Sequence, residues 1–272
     1  MYILLQITIL MKDHFHKTLM VKSNNLRHFQ TCCLLCSVFC ILNLTGCYKP
    51  VDYPEPYQYQ TTGISVQGRS IEHIVLGQGS DTTFIMATIH GNEPAGTQLV
   101  RKLHEYLQQN PDILTGKTVV LLPVANPDGL ATNSRYNANG VDLNRNFIAA
   151  NRRSDVKGGP EALSEPEART IHQLIRQYNP DRIVSIHQPL ACIDYDGPGQ
   201  QLANHMADYC DLPVKKLGSR PGSLGSYAGV TLGIPIITFE MLKNDSTLDA
   251  QTLWNKYGKA LLAAVAYPEP VQ

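Results

Sequence analysis

The chain has 272 residues, 43% hydrophobic and 17% charged, enough for one sizeable domain with an apolar core. Its 23 Lys and Arg match its 23 Asp and Glu. Setting aside the four basic residues and one acidic residue before Cys47 leaves 19 against 22, a net of −3. With no basic footprint, nucleic acid is excluded as a partner.

Five of the seven cysteines (Cys32, Cys33, Cys36, Cys40 and Cys47) fall in the first 47 residues. Cys33 and Cys36 have C-x-x-C spacing, but they sit in "TCCLLCSVFCILNLTGC", an apolar run without acids or histidines, where cysteine acts as a small hydrophobe. Lys22 and Arg27 precede that run, giving the pattern of a secretory signal, and the run is short for a membrane span. "LTGC" at Leu44–Cys47 resembles the lipobox of bacterial lipoproteins. The resemblance implies cleavage before Cys47, lipidation of that residue, and attachment to a membrane through its acyl chains. The expectation is an exported, membrane-anchored lipoprotein facing the periplasm. Tyr48, in place of an aspartate, points to the outer membrane if the source is Gram-negative. Residues 1–46 are read as the signal segment, with Met20 a candidate start. Residues 47–62 hold the lipidated cysteine and a Pro/Tyr-rich tether, "YKPVDYPEPYQYQ". Residues 63–272 are read as the main folded domain.

From Gly63 the pattern is that of an α/β domain. Strands are expected at Ile71–Leu76, Thr83–Ile89, Thr118–Val124, Arg182–Ile186 and Ile234–Phe239. Several are continuous apolar runs, as in strands buried on both faces. Helices are expected at Ala95–Gln108, Pro166–Tyr178 and Leu248–Ala266. "SEPEA" offers Ser164 as N-cap with Glu167 in capping-box spacing. This predicts a three-layer α/β/α domain with polar residues gathered at strand ends, where open α/β sheets place their sites.

Six histidines follow Cys47. His73, His104, His172 and His205 lie within predicted strands or helices and read as surface or satisfied side chains. His90 and His187 each close an apolar strand, in "FIMATIH" and "RIVSIH". Catalytic zinc takes three protein ligands and leaves one position open, with two histidines and a glutamate a known set. His90, Glu93 and His187 could supply it. Glu240 closes "IPIITFE" and is a candidate general base. "NPDG" at Asn126–Gly129 reads as a turn after a strand. "GVDLNRNF" sets Asn144 beside Arg145, a candidate clamp for a carboxylate.

H-x-x-E, NPDG, R-x-N-x-x-G-V-D-L-N-R-N-F, a later strand-end histidine and T-F-E together resemble the zinc carboxypeptidase family. They cover the domain from Gly63 to about Tyr267 in the family's order. "NANGVDLNRNF", "SEPE", "HQPLACI" and "PGSLGSYAG" are most similar to its murein peptide amidases. The resemblance implies one Zn²⁺ per chain on His90, Glu93 and His187, and Glu240 as base and proton shuttle. It also implies that Arg135 polarises the scissile carbonyl and that Asn144 and Arg145 hold the product-side carboxylate. The implied substrate is a murein peptide, cut at the γ-D-glutamyl–diaminopimelate bond. Alternatives are an N-acyl-amino-acid deacylase, a general metallocarboxypeptidase, or a non-catalytic muropeptide-binding lipoprotein. Two departures stand out. "KLGSRPGS" has no tyrosine where the classical members place a mobile phenol, and Arg220 could replace part of it. Gln188 follows His187 where the amidases carry an aspartate. Asp194, Asp196 and Arg220 are candidates for contacting the far end of diaminopimelate, although either aspartate also reads as a solvated loop charge. Gly225 is read as leaving room for a long polar side chain.

Overall fold

The computed structural model describes residues 57–153, 155 and 157–271. The signal segment and Cys47 lie outside the described residues. Eight strands form one sheet: β1 Gln60–Ile64, β2 Ser70–Gly77, β3 Asp81–Ala87, β4 Lys117–Leu122, β5 Arg182–His187, β6 Leu190–Asp196, β7 Val214–Lys215 and β8 Ile236–Leu242. Their order is β1-β2-β4-β3-β5-β8-β6-β7. The β3–β4, β3–β5, β5–β8 and β6–β7 pairs are parallel, and β1–β2, β2–β4 and β6–β8 are antiparallel. The sheet is thus mixed and mostly parallel, as expected.

Alternating residues of the central strands build a core on each face. Ile85 and Ala87 of β3 pack with helices α1 (Ala95–Gln109), α4 (Gln200–Ala207) and α5 (Ala250–Ala266). Phe84 and Met86 pack on the other face with helix α3 (Pro166–Tyr178), with Leu143 and Phe147, and with the π-helical turn Gly225–Thr231. Burial on both faces is what an unbroken apolar strand requires, and it yields the three-layer α/β/α architecture.

Four local features differ from the sequence reading. β1 begins at Gln60, inside the stretch read as tether, and Tyr57 and Tyr59 already pack on the core. β6 is a strand that no expectation included. "NPDG" opens a short helix, α2 (Pro127–Ala131), instead of a bare turn. The capping box at Ser164 does not form, because Glu165 is the N-cap residue of α3 and makes no side-chain cap bond. Ser164 Oγ instead donates to Glu165 Oε1 (2.8 Å), while Glu167 accepts from Val66 N (3.2 Å) and Asn137 Nδ2 (3.1 Å). For Glu167, tertiary donors take the place of the local cap.

Candidate active site

The first two site residues sit on a loop, not on a strand end. β3 stops at Ala87, and Thr88 takes φ +56°, a left-handed conformation that is costly for a β-branched residue. Its surroundings hold it there: Asn126 N donates to Thr88 O (2.9 Å), and Thr88 Oγ1 bonds Thr97 Oγ1 (2.7 Å). The backbone then turns through His90, whose carbonyl accepts from Glu93 N at 3.1 Å. Asn126, fully buried, braces this turn by donating from Nδ2 to Ile89 O (3.2 Å), and its Oδ1 accepts from Gly129 N (2.8 Å). Gly91 is required by close approach: a Cβ there would lie 1.9 Å from the backbone carbon of Gly129. The H-G-N-E and N-P-D-G motifs are therefore two halves of one contact.

His187 and Glu240 arrive by strand register. His187 ends β5 and pairs with Glu240 of the adjacent parallel strand β8. Glu93 spans the two histidines: Oε1 meets His90 Nδ1 at 2.8 Å, and Oε2 meets His187 Nδ1 at 3.0 Å. One ligand atom from each of the three residues lies within 4.8 Å of the others, and all three side chains are buried. The outer ring nitrogens are occupied as well, His90 Nε2 by Asp142 Oδ1 (3.1 Å) and His187 Nε2 by Ser185 Oγ (3.0 Å). A proton held on each Nε2 leaves both Nδ1 lone pairs aimed at a common centre beside the carboxylate. That donor set, oriented from behind, fits a zinc ion.

Asp142 was not singled out from the sequence, although it stands inside "GVDLNRNF". Besides His90, it accepts from Arg135 Nε (3.1 Å) and Nη2 (3.0 Å), and from Asn144 N (3.0 Å) as the cap of the turn Leu143–Arg145. The signal that could have found it is general: a metal-binding imidazole usually donates its other N–H to a carboxylate. Electrostatics follow the contacts. Burial pushes Glu93 upward, but the hydrogen bonds and charges of His187 and then His90 outweigh it, holding its carboxyl at about 2. Burial opposes Asp142 in the same way, and His90, Arg135 and Arg145 take it well below the usual carboxylate range. Burial lowers His90, yet Asp142 and Glu93 raise it overall. Glu240 is raised, chiefly by burial, with the His187 charge and the Leu190 N–H (3.2 Å to Oε2) pulling the other way.

These groups open onto a cavity of about 260 Å³ that Arg135, Asn144, Arg145 and Arg220 also line. Asn144 Oδ1 accepts from Leu224 N (2.8 Å), tying this wall to the loop before the π-helical turn. The residues picked out by sequence thus converge on one cleft. Two details are corrected. Asp194 and Asp196 are not solvated loop charges, because both lie on β6, are 7% and 5% exposed, and line the cavity. The space beside Gly225 belongs to Asp196, whose Oδ2 would be 2.0 Å from a Cβ at that glycine. Gln188 is buried against the cluster, its N–H donating to Glu93 Oε2 (3.2 Å) and Nε2 to Leu242 O (2.9 Å). Of the remaining histidines, His73 and His172 have hydrogen-bond partners, whereas His104 Nε2 and His205 Nε2 are buried with none among the described residues.

A mixed, mostly parallel α/β sheet carrying a buried His-Glu-His cluster, with a buried glutamate on the central strand β8 beside it, defines a metallohydrolase. Residues 50–209 match the model of the zinc carboxypeptidase family, Peptidase M14. The chain is 36% identical over 178 residues to murein peptide amidase A of Escherichia coli K12, covering 59% of this chain and 71% of that one. It is 29% identical over 157 residues to carboxypeptidase B of Astacus astacus, covering 47% of this chain and 52% of that one. The crystal structure of the murein-tripeptide amidase from E. coli O157 superposes with a TM-score of 0.63 at 26% identity, covering 82% of this chain and 98% of that one. Carboxypeptidase A from Helicoverpa armigera shares the fold, with a TM-score of 0.66 at 20% identity over 80% of this chain and 70% of that one. The chain belongs to the zinc carboxypeptidase family and is a metallopeptidase.

Proposed function

We propose that this metallopeptidase hydrolyses the γ-D-glutamyl–diaminopimelate bond of murein peptides. The observation that carries the reading is the convergence, in one cavity, of the His90–Glu93–His187 cluster, Glu240 and the Asn144–Arg145 pair. Its support is the likeness to murein peptide amidases. His90, Glu93 and His187 would hold a single zinc ion. Zinc at such a site acidifies water and polarises a carbonyl. Arg145 and Asn144 grip the carboxylate of the diaminopimelate residue and fix the scissile bond over the cluster, positioning that lowers the barrier by restricting motion. Arg135, oriented by Asp142, offers its guanidinium to the carbonyl oxygen as negative charge develops there, a contribution of about 3–4 kcal/mol for one well-placed donor. Glu240 takes the proton of the attacking water and returns it to the leaving amine. Its buried position, which raises its proton affinity, suits a group that must both accept and release a proton.

We further infer that the protein is exported and held at a membrane by lipid on Cys47, with its catalytic domain in the periplasm. Radiolabelled palmitate should enter the wild-type protein but not Cys47→Ala; equal labelling would overturn the anchor.

The activity test is direct. Zinc-loaded protein incubated with L-Ala-γ-D-Glu-diaminopimelate should release free diaminopimelate, detected by mass spectrometry. Release from N-acyl-amino acids but not from this peptide would replace the reading with a deacylase. Stoichiometric zinc and peptide binding without any turnover would make the chain a muropeptide-binding protein.

A further inference from the structure

A second cavity, of about 360 Å³, meets the active-site cavity at Glu93 and Arg135, which line both. Asn144 and Arg145, the proposed grip on the leaving residue, line only the first. Asn92, Lys243 and Asn244 line only the second. The two spaces therefore lie on either side of the Glu93–Arg135 wall. A peptide held by Arg145 and cut at the cluster extends its acyl half into the second cavity, which the proposed chemistry leaves without a task.

The charge of this space has one sign. Its one acidic lining residue, Glu93, already has an oxygen on His90 and the other on His187. Arg135 is engaged by Asp142. Lys243 takes part in no ion pair among the described residues. Asn92 and Asn244 add amide donors beside it. A free ammonium with amide N–H groups and no free carboxylate suits an anionic ligand, whose hydrogen bonds to such donors are charge-assisted.

Lys243 stands on a braced platform. It opens the 3₁₀ turn Lys243–Thr247, which follows β8 directly, three residues after Glu240. Asp245, the acid of that turn, is buried and accepts from Leu242 N (2.9 Å), Lys256 Nζ (2.7 Å) and Tyr257 Oη (2.6 Å). It thus neutralises Lys256 and leaves Lys243 without a local counter-charge. Gln188 Nε2 donates to Leu242 O (2.9 Å), tying the start of the turn to the residue after His187. The hydroxyls of Ser246 and Thr247 donate to the carbonyls of Lys243 (3.2 Å) and Asn244 (2.8 Å). The root of the lysine is therefore fixed relative to both Glu240 and His187, which lessens the ordering cost of binding.

The acyl half of a γ-D-glutamyl peptide carries a charge near the scissile bond. The free α-carboxylate of its glutamate is four carbon–carbon bonds from the scissile carbonyl, about 5 Å when extended. We propose that the second cavity is an acyl-side anion subsite, in which Lys243 with the Asn92 and Asn244 amides binds that carboxylate and selects for it. The inference rests on the amidase reading above for the identity of the acyl residue. A peptide whose glutamate α-carboxylate is converted to a carboxamide is then a poor substrate, although its scissile bond and leaving residue are unchanged.

The test compares L-Ala-γ-D-Glu-diaminopimelate with the same peptide carrying that carboxamide. kcat/KM is measured for zinc-loaded wild type, Lys243→Gln and Lys243→Arg. The same proteins are titrated calorimetrically with the two acyl products, L-Ala-D-Glu and L-Ala-D-isoglutamine. Wild type should prefer the acid about tenfold in both measurements, as a charge-assisted contact allows. Lys243→Gln should abolish most of that preference, and Lys243→Arg should keep most of it. Tm should be unchanged in both variants, because Lys243 is exposed. Equal kcat/KM for the two peptides in wild type, or a preference that survives Lys243→Gln, overturns the proposal and leaves the amidase reading standing. If neither peptide is cleaved, the dipeptide titrations decide. A Lys243-dependent preference for the acid then upholds the subsite while the amidase reading falls, and no preference overturns both.

Discussion

Asp142 touches the backs of His90 and Arg135 and the backbone of Asn144, three parts of the site with different tasks. Its removal should therefore be felt as a loss of orientation. Asp142→Asn is expected to weaken zinc binding by about 10–100-fold, as substitutions behind a metal ligand do, with the fold retained; competition against a chelator measures this. Glu240 makes no such structural contribution, accepting among the described residues only one backbone bond, from Leu190. Glu240→Gln should lower kcat by about 10²–10⁴-fold, the range for a general base, while zinc content and Tm stay at wild-type values. Equal activity in that variant would sink the assigned chemistry. Gly225→Ala tests a different contact: its Cβ would lie 2.0 Å from Asp196 Oδ2, so overpacking should cost about 1–3 kcal/mol of stability, read as a lower Tm.

At the scale of elements, the long periodic segments were legible. Helix α3 coincides with its expected span, and α1 and α5 differ by one or two residues at one end. The strand end at His187 was legible because an apolar run terminating on a titratable residue breaks the pattern of burial, whereas Glu240, read as closing its strand, lies inside β8, which runs on to Leu242. β6 was not legible. Its "LACIDYD" ends in two aspartates, a residue depleted in strands, so local preference argued against a strand that tertiary pairing with β8 imposes. The disagreement falls at the cavity wall, which both aspartates line. Asp142 escaped for a different reason: its role is defined by a histidine 52 residues earlier, and no local pattern carries that distance. The reason for Gly91 also lay beyond sequence, since the backbone it must approach belongs to Gly129. That contact makes Asn126 a keystone of the loop. Asn126→Ala would leave the Ile89 carbonyl and the Gly129 amide without their buried partner, at a cost of about 1–3 kcal/mol for each such group. Chemical denaturation should show the loss, accompanied by weaker zinc binding.

Over the whole molecule, the site concentrates opposite charges in a buried place, and stability becomes linked to pH and metal. In the metal-free protein Glu93 has an ordinary value of 4.5 in the unfolded chain and about 2 when folded. A depressed carboxyl stabilises the fold at pH values above its unfolded value, and this is lost as pH falls toward the folded one. Asp142 acts in the same sense. Metal-free protein should therefore lose Tm progressively between pH 4.5 and 2, and Asp142→Asn should flatten the decline. His90, being raised, contributes below its ordinary 6.5 and loses that contribution as pH climbs through its folded value. That loss is the same contact seen from its basic partner, not an additional one. Zinc at a hundred times its Kd should add about 2.7 kcal/mol by mass action, so chelation should lower Tm by several degrees.

Because His187 and Glu240 stand side by side on strands at the middle of the sheet, the reactive end of the site shares the backbone ladder of the core. Amide exchange with deuterated water should reveal this. The protons of Ile186 and Phe239, buried beside the two reactive residues, should exchange only when the entire domain unfolds. Those of the loop around Leu217 and Arg220 should exchange by local opening. The half that performs the reaction is then as rigid as the molecule itself, and adaptation to ligand is left to the segment that closes the pocket's outer edge.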